Sequence, residues 1–389
     1  MTDFTPTEAA RIARGVYGLR TETVSGLARN HRDLGCEGMF AVDDSSRFVG
    51  RSGGLVVCKK LTGFGYIAAG EGRRQGEVLI ATRGTDMPLD WLSNFNIGVQ
   101  IGPGGHLVHA GFHDIWKSFA ADIAEFLRGR NPSVVHCVGH SLGGALANLN
   151  ADYLTSKGVG SVRLYTFGAP RAGTVPFARA LTRRVGAAHM YRVHHRSDPV
   201  PMIPVFPFQH APVHGTMYEL TGRHTGLINS QAHSMLGSYM PGVDELDWLA
   251  LARQGQDAMA DAHTQSWLDQ VAGGGGGIIP FGARALQMIG RALGWLLRQV
   301  RNVLVGVLGT AATVGMTVLD QLAWMISQAA QLSISVSSYV GTLIAAIFRF
   351  LGRTVMTGVS MTMAFVRWVL DLLYSSLGNV ARLALSVLD

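Results

Sequence analysis

The stretch VVHCVGHSLGGALANL, residues 134–149, decides the fold because it leads from strand-forming residues through a glycine-rich turn into a helical pattern. Gly139 and Gly143 permit a sharp turn, so Ser141 projects from its apex. A serine hydroxyl attacks a carbonyl only when a base takes its proton and donors hold the oxyanion that forms. The stretch therefore predicts a nucleophile elbow, with the backbone N–H of Leu142 as one oxyanion donor.

Strand-like runs alternate with helical patterns on both sides of this turn. The predicted strands are RFVGRSGGLVVCKK (47–60), FGYIAAG (64–70), EVLIATRG (77–84), SVVHCVGH (133–140), SVRLYTFGAP (161–170) and HMYRVHH (189–195). The predicted helices cover residues 113–130, 142–158, 175–184 and 244–270. This alternation is typical of a largely parallel sheet with helices on both faces, the α/β class.

Five consecutive glycines divide the chain, because such a run gains no packing and loses much entropy on ordering. We expect an α/β domain over residues 1–271, a glycine linker over 272–277 and an all-helical, apolar domain over 278–389. The last segment contributes +5 of the net charge of +7. Positive charge in apolar surroundings favours a membrane partner and argues against nucleic acid.

The C-terminal segment is unusually apolar in its middle. Residues 302–319 and 321–348 contain no charged residue, and the second run is long enough to cross a bilayer. A polar residue recurs at every seventh position, which places each series on one narrow helical stripe. The series are Arg284, Arg291, Arg298; Gln321, Gln328, Ser335, Thr342, Arg349; and Arg353, Ser360, Arg367. Such helices must bury a wide face in lipid, in one another or in a partner.

The cysteines and the N-terminus bear on location. Cys36, Cys58 and Cys137 cannot all pair and match no metal or redox spacing, so we expect reduced thiols, no metal and no cofactor. The N-terminal residues have no charged segment followed by an apolar one, so no cleavable signal peptide is visible. We therefore expect synthesis in the cytoplasm, association with a membrane and, if the chain leaves the cell, a specialised secretion system.

Six motifs, in order, resemble the class 3 lipase family. They are ATRGTDMPLDWLSNF (81–95), VHAGFHDIW (108–116), GHSLGGALA (139–147), YTFGAPRAG (165–173), YRVHHRSDPVPMIP (191–204) and AHSMLGSY (232–239). A G-x-S-x-G pattern alone is weak in a chain with 49 glycines, whereas several ordered motifs are much more specific. The resemblance implies an α/β-hydrolase fold and hydrolysis of carboxylic esters at a lipid interface.

The resemblance also implies roles for individual residues. Ser141 becomes the nucleophile and Asp198 the acid that orients the base. Asp198 also follows a predicted strand and precedes a proline, at the strand edge where α/β sites are built. His233 matches the general base of the family, while His214 matches a second histidine and is the main alternative. His210 and His224 remain further alternatives.

The segment after the third predicted strand resembles the family's oxyanion-hole and lid region. Thr85 matches the second oxyanion donor, and it is equally suited to begin a helix as its N-cap. The lid would run from Asp86 to Asn96 and cover the site with apolar side chains, although a fixed amphipathic helix explains the pattern nearly as well. The lid residues that we single out are Asp86, Trp91, Leu92 and Phe95.

The C-terminal segment has three interpretations. It is a membrane-targeting module, a pore-forming bundle, or an ordinary helical domain packed on the hydrolase or in an oligomer. In the first, Arg284, Arg291, Trp295 and Arg298 contact lipid head groups. The whole chain then predicts a lipase or phospholipase acting on membrane lipids. An antibacterial effector with a chaperone or immunity partner would have this architecture. The alternatives are an intracellular lipase anchored by its tail and an inactive lipid-binding module.

Overall fold

The chain is built around an eight-stranded mixed sheet. The computed structural model describes residues 3–20, 35–42, 46–52, 60–84, 98–204, 207–222, 224, 229–256, 289, 318–332, 334–354 and 358–385. The strands of this sheet are β1 (Phe40–Ala41), β2 (Arg47–Ser52), β3 (Lys60–Gly70), β4 (Glu77–Thr82), β7 (Val134–His140), β8 (Ser161–Phe167), β10 (Met190–His195) and β12 (Tyr218–Leu220). Their order is β1-β3-β4-β7-β8-β10-β12, with β2 paired to β3.

The parallel part of the sheet begins at β4, and this half positions the site. Strands β4, β7, β8, β10 and β12 run parallel, while β1, β2, β3 and β4 pair antiparallel at the other side. Both β4 and β7 are buried along their whole length, as expected of strands covered on both faces. The expected largely parallel α/β sheet is thus present, with an antiparallel addition.

A second, four-stranded sheet lies beside the first, in the order β11-β9-β6-β5. Its strands are β5 (Val99–Ile101), β6 (Leu107–His109), β9 (Gly173–Thr174) and β11 (Phe208–Gln209), and they pair antiparallel. Strand β6 leads directly into a helix, and β9 follows β8 in the chain, so the small sheet pairs segments that are distant in sequence.

Helices cover the sheet. They are α1 (Pro6–Gly15), α2 (Ala110–Lys117), α3 (Ala120–Leu127), α4 (Leu142–Ser156), α5 (Val175–Val185), α6 (Met240–Val243) and α7 (Trp248–Gln256). The single helix predicted for residues 113–130 is wrong, because it breaks into α2 and α3. At the break the Ser118 hydroxyl donates to the carbonyl of Ile115 at 2.6 Å, and Phe119 leaves the helical conformation.

Three further helices form the C-terminal part that the structure describes: α8 (Val318–Leu332), α9 (Ile334–Phe350) and α10 (Met363–Leu385). They pack against one another, and Arg367 of α10 forms an ion pair with Asp320 of α8 at 2.9 Å. Their apolar residues share one core with Val200, Met202 and Ile203, which follow β10. Searching the described residues for a helix long and apolar enough to cross a membrane finds none.

Of the three environments expected for the wide apolar faces, the described helices have packing on protein. Thr342 is buried, and its hydroxyl donates to the carbonyl of Ser338 at 2.9 Å, within its own helix. In α10 a broad exposed face, mainly polar but including Trp368 and Leu383, lies opposite an apolar face that packs on protein. An apolar helix face signals burial without specifying what buries it, and here the described helices bury it in protein. The predicted linker, residues 272–277, lies outside the described residues.

Candidate active site

Ser141 stands at a strained turn between β7 and α4. Its backbone has φ 58° and ψ −133°, a conformation that residues with a side chain rarely adopt. The turn is tight enough to require glycine on both sides. A Cβ on Gly139 would lie 2.2 Å from the carbonyl oxygen of Gly143, and one on Gly143 would lie 2.2 Å from the carbonyl oxygen of Thr82. The predicted elbow geometry is therefore present.

The structure brings Ser141, His233 and Asp198 into one hydrogen-bonded chain. Ser141 Oγ lies 2.9 Å from His233 Nε2, and His233 Nδ1 lies 2.7 Å from Asp198 Oδ2. Because a carboxylate can only accept, Nδ1 carries the proton and Nε2 is free to accept from the serine hydroxyl. All three residues have 0% of their surface exposed.

The Asp198 carboxylate has two further donors. The Tyr239 hydroxyl donates to Oδ2 at 2.6 Å, and the Val200 backbone N–H donates to Oδ1 at 2.9 Å. Burial, followed by the negative charge of Asp198, raises the pKa of Tyr239 well above its usual value, so this hydroxyl keeps its proton. Gly168 leaves room for the contact between Tyr239 and Asp198, since a Cβ there would lie 2.9 Å from Asp198 Oδ2 and 2.9 Å from the Tyr239 hydroxyl oxygen.

The backbone of His233 is held by a second buried histidine. His140 Nε2 donates to the carbonyl of His233 at 2.9 Å, which leaves Nδ1 to accept from the Tyr17 hydroxyl at 2.8 Å. Burial, with the nearby His233, lowers the pKa of His140 well below its usual value, so the ring stays neutral. His140 thus supports the backbone of His233.

The alternative histidines lie elsewhere. His214 is exposed, and His224 Nε2 donates to the carbonyl of Gly237 at 3.0 Å. His210 Nε2 donates to the carbonyl of Pro201 at 2.7 Å. Of the four candidates, His233 is the one that the structure places beside Ser141.

The oxyanion hole is described only in part, and the predicted lid, residues 86–96, lies outside the described residues. Leu142 is the first residue of α4, and the first amides of a helix have no partner within it, so its N–H is available to an oxyanion. Thr85 and the lid residues lie outside the described residues. So do the four residues predicted to contact a membrane. The lid residues are Asp86, Trp91, Leu92 and Phe95, and the residues predicted to contact a membrane are Arg284, Arg291, Trp295 and Arg298.

Sequence reasoning gave no role to Tyr239 or Tyr17. Both contact the site across long separations, 41 residues from Tyr239 to Asp198 and 123 from Tyr17 to His140. The position of Tyr239 shortly after His233 was part of the resemblance, but spacing does not reveal which carboxylate its hydroxyl reaches.

Part of the chain is similar in sequence to a known protein family. Residues 79–208 match the sequence model of the family described as lipase (class 3). The matched segment includes Ser141 and Asp198 and ends before His233. The match supports the class 3 lipase family, and with the mixed sheet it supports an α/β-hydrolase fold.

Two of the individual relatives are fungal lipases. The chain is 40% identical over 166 residues to secreted mono- and diacylglycerol lipase 1 of Fusarium solani, covering 40% of this chain and 48% of that protein. It is 34% identical over 148 residues to secreted mono- and diacylglycerol lipase A of Penicillium cyclopium, covering 36% and 47%. The chain thus spans about half the length of these curated relatives.

Solved structures show a weaker similarity. The mono- and diacylglycerol lipase of Aspergillus oryzae aligns with 58% of this chain and 81% of its own, at 22% identity and a TM-score of 0.40. A similarity of this size carries no argument about the site.

The expected location at a membrane is wrong. The curated relatives from Fusarium and Penicillium are named secreted lipases, which contradicts a membrane-associated protein. Of the apolar residues that led to the expectation, those described in α8, α9 and α10 contribute to a protein core, whereas residues 302–317 lie outside the described part of the chain.

Proposed function

We propose that the protein is a serine hydrolase that cleaves carboxylic esters of lipids. Ser141 is the nucleophile, His233 the general base and Asp198 the acid that orients it. The observation that carries the proposal is the continuous chain from Ser141 Oγ through both His233 nitrogens to Asp198, with distances of 2.9 and 2.7 Å. The strained elbow supports it, since a positive φ at a serine costs free energy that a merely structural turn avoids with glycine.

The reaction follows from these contacts. His233 Nε2 takes the hydroxyl proton as Ser141 Oγ bonds to the ester carbon, and the carbonyl electron pair moves onto oxygen. The Leu142 N–H, together with Thr85 as the second proposed donor, holds that oxyanion. His233 then gives its proton to the departing alcohol, leaving an acyl group on Ser141. Water deprotonated by His233 attacks this acyl-enzyme, releases the fatty acid and restores the serine.

The substrate class that we propose is acylglycerol, with mono- and diacylglycerols preferred. Support comes from the names of the relatives, since those that are 40% and 34% identical are mono- and diacylglycerol lipases. A phospholipase A1-II from rice is 32% identical over 173 residues. Phospholipid is therefore the second substrate to compare.

The test uses the full chain, Ser141→Ala and Ser156→Ala, since Ser156 is an exposed serine of the same helix. Emulsified mono-, di- and triacylglycerol and phosphatidylcholine vesicles are offered in parallel, and products are identified by mass spectrometry. We expect Ser141→Ala to lower kcat by about 10⁴-fold or more and Ser156→Ala to leave it unchanged. Full activity in Ser141→Ala would exclude this site, and no activity in the wild type would favour a lipid-binding module that has lost catalysis.

We also propose a domain organisation for the whole chain. Residues 1–271 form the hydrolase domain, 272–277 a linker and 278–389 a helical segment. Neither the comparisons nor the described helices support a membrane-targeting role for that segment, so the proposed function does not give it one. Delivery as an antibacterial effector, with a chaperone or immunity partner, stays a prediction.

A further inference from the structure

Helix α10 has one apolar face, and that face is covered by protein. Its buried residues recur three or four positions apart, as on one side of a helix. They are Val366, Val369, Leu370, Leu373, Tyr374, Leu377, Ala381 and Ala384. The opposite side is exposed and mainly polar, with Arg367, Asp371, Ser375, Asn379 and Arg382, although Trp368 and Leu383 are exposed there as well. The helix is therefore an amphipathic element with a defined protein surface beneath it.

That surface includes both segments that carry the acid and the base. Helix α10 contacts the helical turn Val200–Met202, which begins two residues after Asp198. It also contacts the helical turn Ser230–His233, whose last residue is His233 itself. Val200, Met202 and Ile203 belong to the same apolar core as the buried face of α10. One helix thus lies against two turns beside Asp198 and His233, which are 35 residues apart in the sequence.

A partly buried arginine holds the first of these loops. The Arg171 guanidinium donates to the carbonyls of Met202 and Pro204, the latter at 2.8 Å, and its backbone N–H donates to the carbonyl of Ile203 at 2.9 Å. The ring of Tyr374 on α10 is buried in the same apolar core as Met202 and Ile203, and Tyr374 also interacts electrostatically with Arg171. Burial, with the positive charge of Arg192, lowers the pKa of Arg171 to about 10, so the guanidinium stays charged at neutral pH.

We propose that α10 is a positioning element of the active site and that Tyr374 is the residue through which it acts. The helix holds the Asp198 loop and the His233 turn at the separation that lets Asp198 Oδ2 accept the Nδ1 proton. Neither loop belongs to a sheet strand, so each depends on packing for its position. An error of about 1 Å in such a contact costs about 100-fold in rate. The inference rests on the proposed function for its kinetic consequence, while the hydrogen bond itself is observable without activity.

The test compares full-length proteins. Tyr374→Ala removes the contact, Tyr374→Phe retains the ring, and Ile326→Ala is the control because Ile326 is buried in the same core on α8. Each is assayed below its own unfolding temperature with a soluble p-nitrophenyl ester, so that binding to an interface does not contribute. The readouts are kcat, KM, the pH profile of kcat/KM, and the downfield NMR signal of the proton between Asp198 and His233, assigned by its loss in His233→Gln.

We expect Tyr374→Ala to lower kcat by about 10- to 100-fold, to change KM less than about twofold and to weaken the downfield signal. Tyr374→Phe keeps the buried ring, so its kcat, KM and downfield signal should stay close to those of the wild type. Ile326→Ala should lower the unfolding temperature while kcat and the downfield signal persist. If Tyr374→Ala does not fold, Tyr374→Leu takes its place with the same expectation.

Two outcomes would overturn the inference by itself. Either the Tyr374 variants keep the wild-type kcat, pH profile and downfield signal, or Ile326→Ala loses kcat and signal to the same extent. In both cases wild type remains active and Ser141→Ala inactive, so the proposed function stands. A wild type without ester hydrolysis, or an active Ser141→Ala, would instead overturn the proposed function and the kinetic part of the inference with it.

Discussion

Tyr239 Oη lies 2.6 Å from Asp198 Oδ2, the same carboxylate oxygen that lies 2.7 Å from His233 Nδ1. The hydroxyl also accepts the backbone N–H of His195 at 3.1 Å, so it connects the end of strand β10 to the buried carboxylate. A buried carboxylate needs such donors, because an unsatisfied charge away from water is costly. Tyr239 therefore stabilises the charge of Asp198 and restricts the direction from which it meets the imidazole.

Replacing Tyr239 by phenylalanine should slow the reaction and destabilise the fold together. A hydrogen bond to a buried charge contributes about 1.5–3 kcal/mol to stability, and its loss lets the carboxylate rotate. We expect Tyr239→Phe to lower kcat about tenfold and the unfolding free energy by about 2 kcal/mol. Ester kinetics and urea unfolding measure both.

The matched control for this variant is Tyr165→Phe. Tyr165 is also fully buried, and its hydroxyl accepts the backbone N–H of Phe4 at 3.0 Å. It should lose stability while keeping kcat. An equal loss of kcat in both variants would mean that Tyr239 acts through the fold alone.

Two glycine substitutions should have opposite effects. In Gly143→Ala the new Cβ would lie 2.2 Å from the carbonyl oxygen of Thr82 and 2.6 Å from the carbonyl carbon of Arg83, both rigid backbone atoms. We expect a loss of more than about 2 kcal/mol in unfolding free energy. Gly341, inside α9, has open space around its Cβ position, so Gly341→Ala should gain about 0.5–1 kcal/mol. Thermal unfolding of both variants decides, and a stable Gly143→Ala would contradict the tight elbow.

Acid sensitivity should come in part from His109. Burial lowers its pKa to about 3, from an unfolded value near 6.5, despite the opposing charge of Asp114. Below pH 6.5 the unfolded chain therefore binds a proton that the folded chain does not bind until pH falls to about 3. Stability thus decreases through this window, by at most about 1.4 kcal/mol per pH unit for this one group.

The variant His109→Asn tests this. An asparagine oxygen can still accept the N–H of Phe112 at the start of α2, where His109 Nδ1 now accepts it. Unfolding free energies at pH 7, 5.5 and 4.5 should decline less steeply than in the wild type. His214→Asn, at an exposed position, is the control. An unchanged slope for His109→Asn would show that the ring protonates in the folded state.

The parallel strands were predictable because burial on both faces leaves a continuous apolar signature. Predicted runs at 77–84, 133–140 and 189–195 became β4, β7 and β10 with ends displaced by at most two residues. The elbow was predictable for a similar local reason, since Gly139 and Gly143 are needed by the turn they flank. For these elements, the local sequence pattern was enough to predict the structure, because the residues that determine each element are close together in the sequence.

Contacts between distant segments were not predictable in the same way. The break at Ser118 accompanies the stacking of Phe119 on Phe48, 4.7 Å between ring centroids, which no helical periodicity reveals. The role of Tyr239 depends on a carboxylate 41 residues away. The apolar face of α10 indicated burial, but its partner, the loop after Asp198, is known only from the folded chain.

The most direct test of the central claim is to find where an ester-like phosphonate bonds to the protein. The full chain is treated with a p-nitrophenyl alkylphosphonate, digested, and the modified peptide sequenced by mass spectrometry. We expect a single adduct on Ser141 Oγ, absent in Ser141→Ala, retained in Ser156→Ala and formed at least about 100-fold more slowly in His233→Gln. An adduct on another residue, or equally fast labelling without His233, would contradict the central claim.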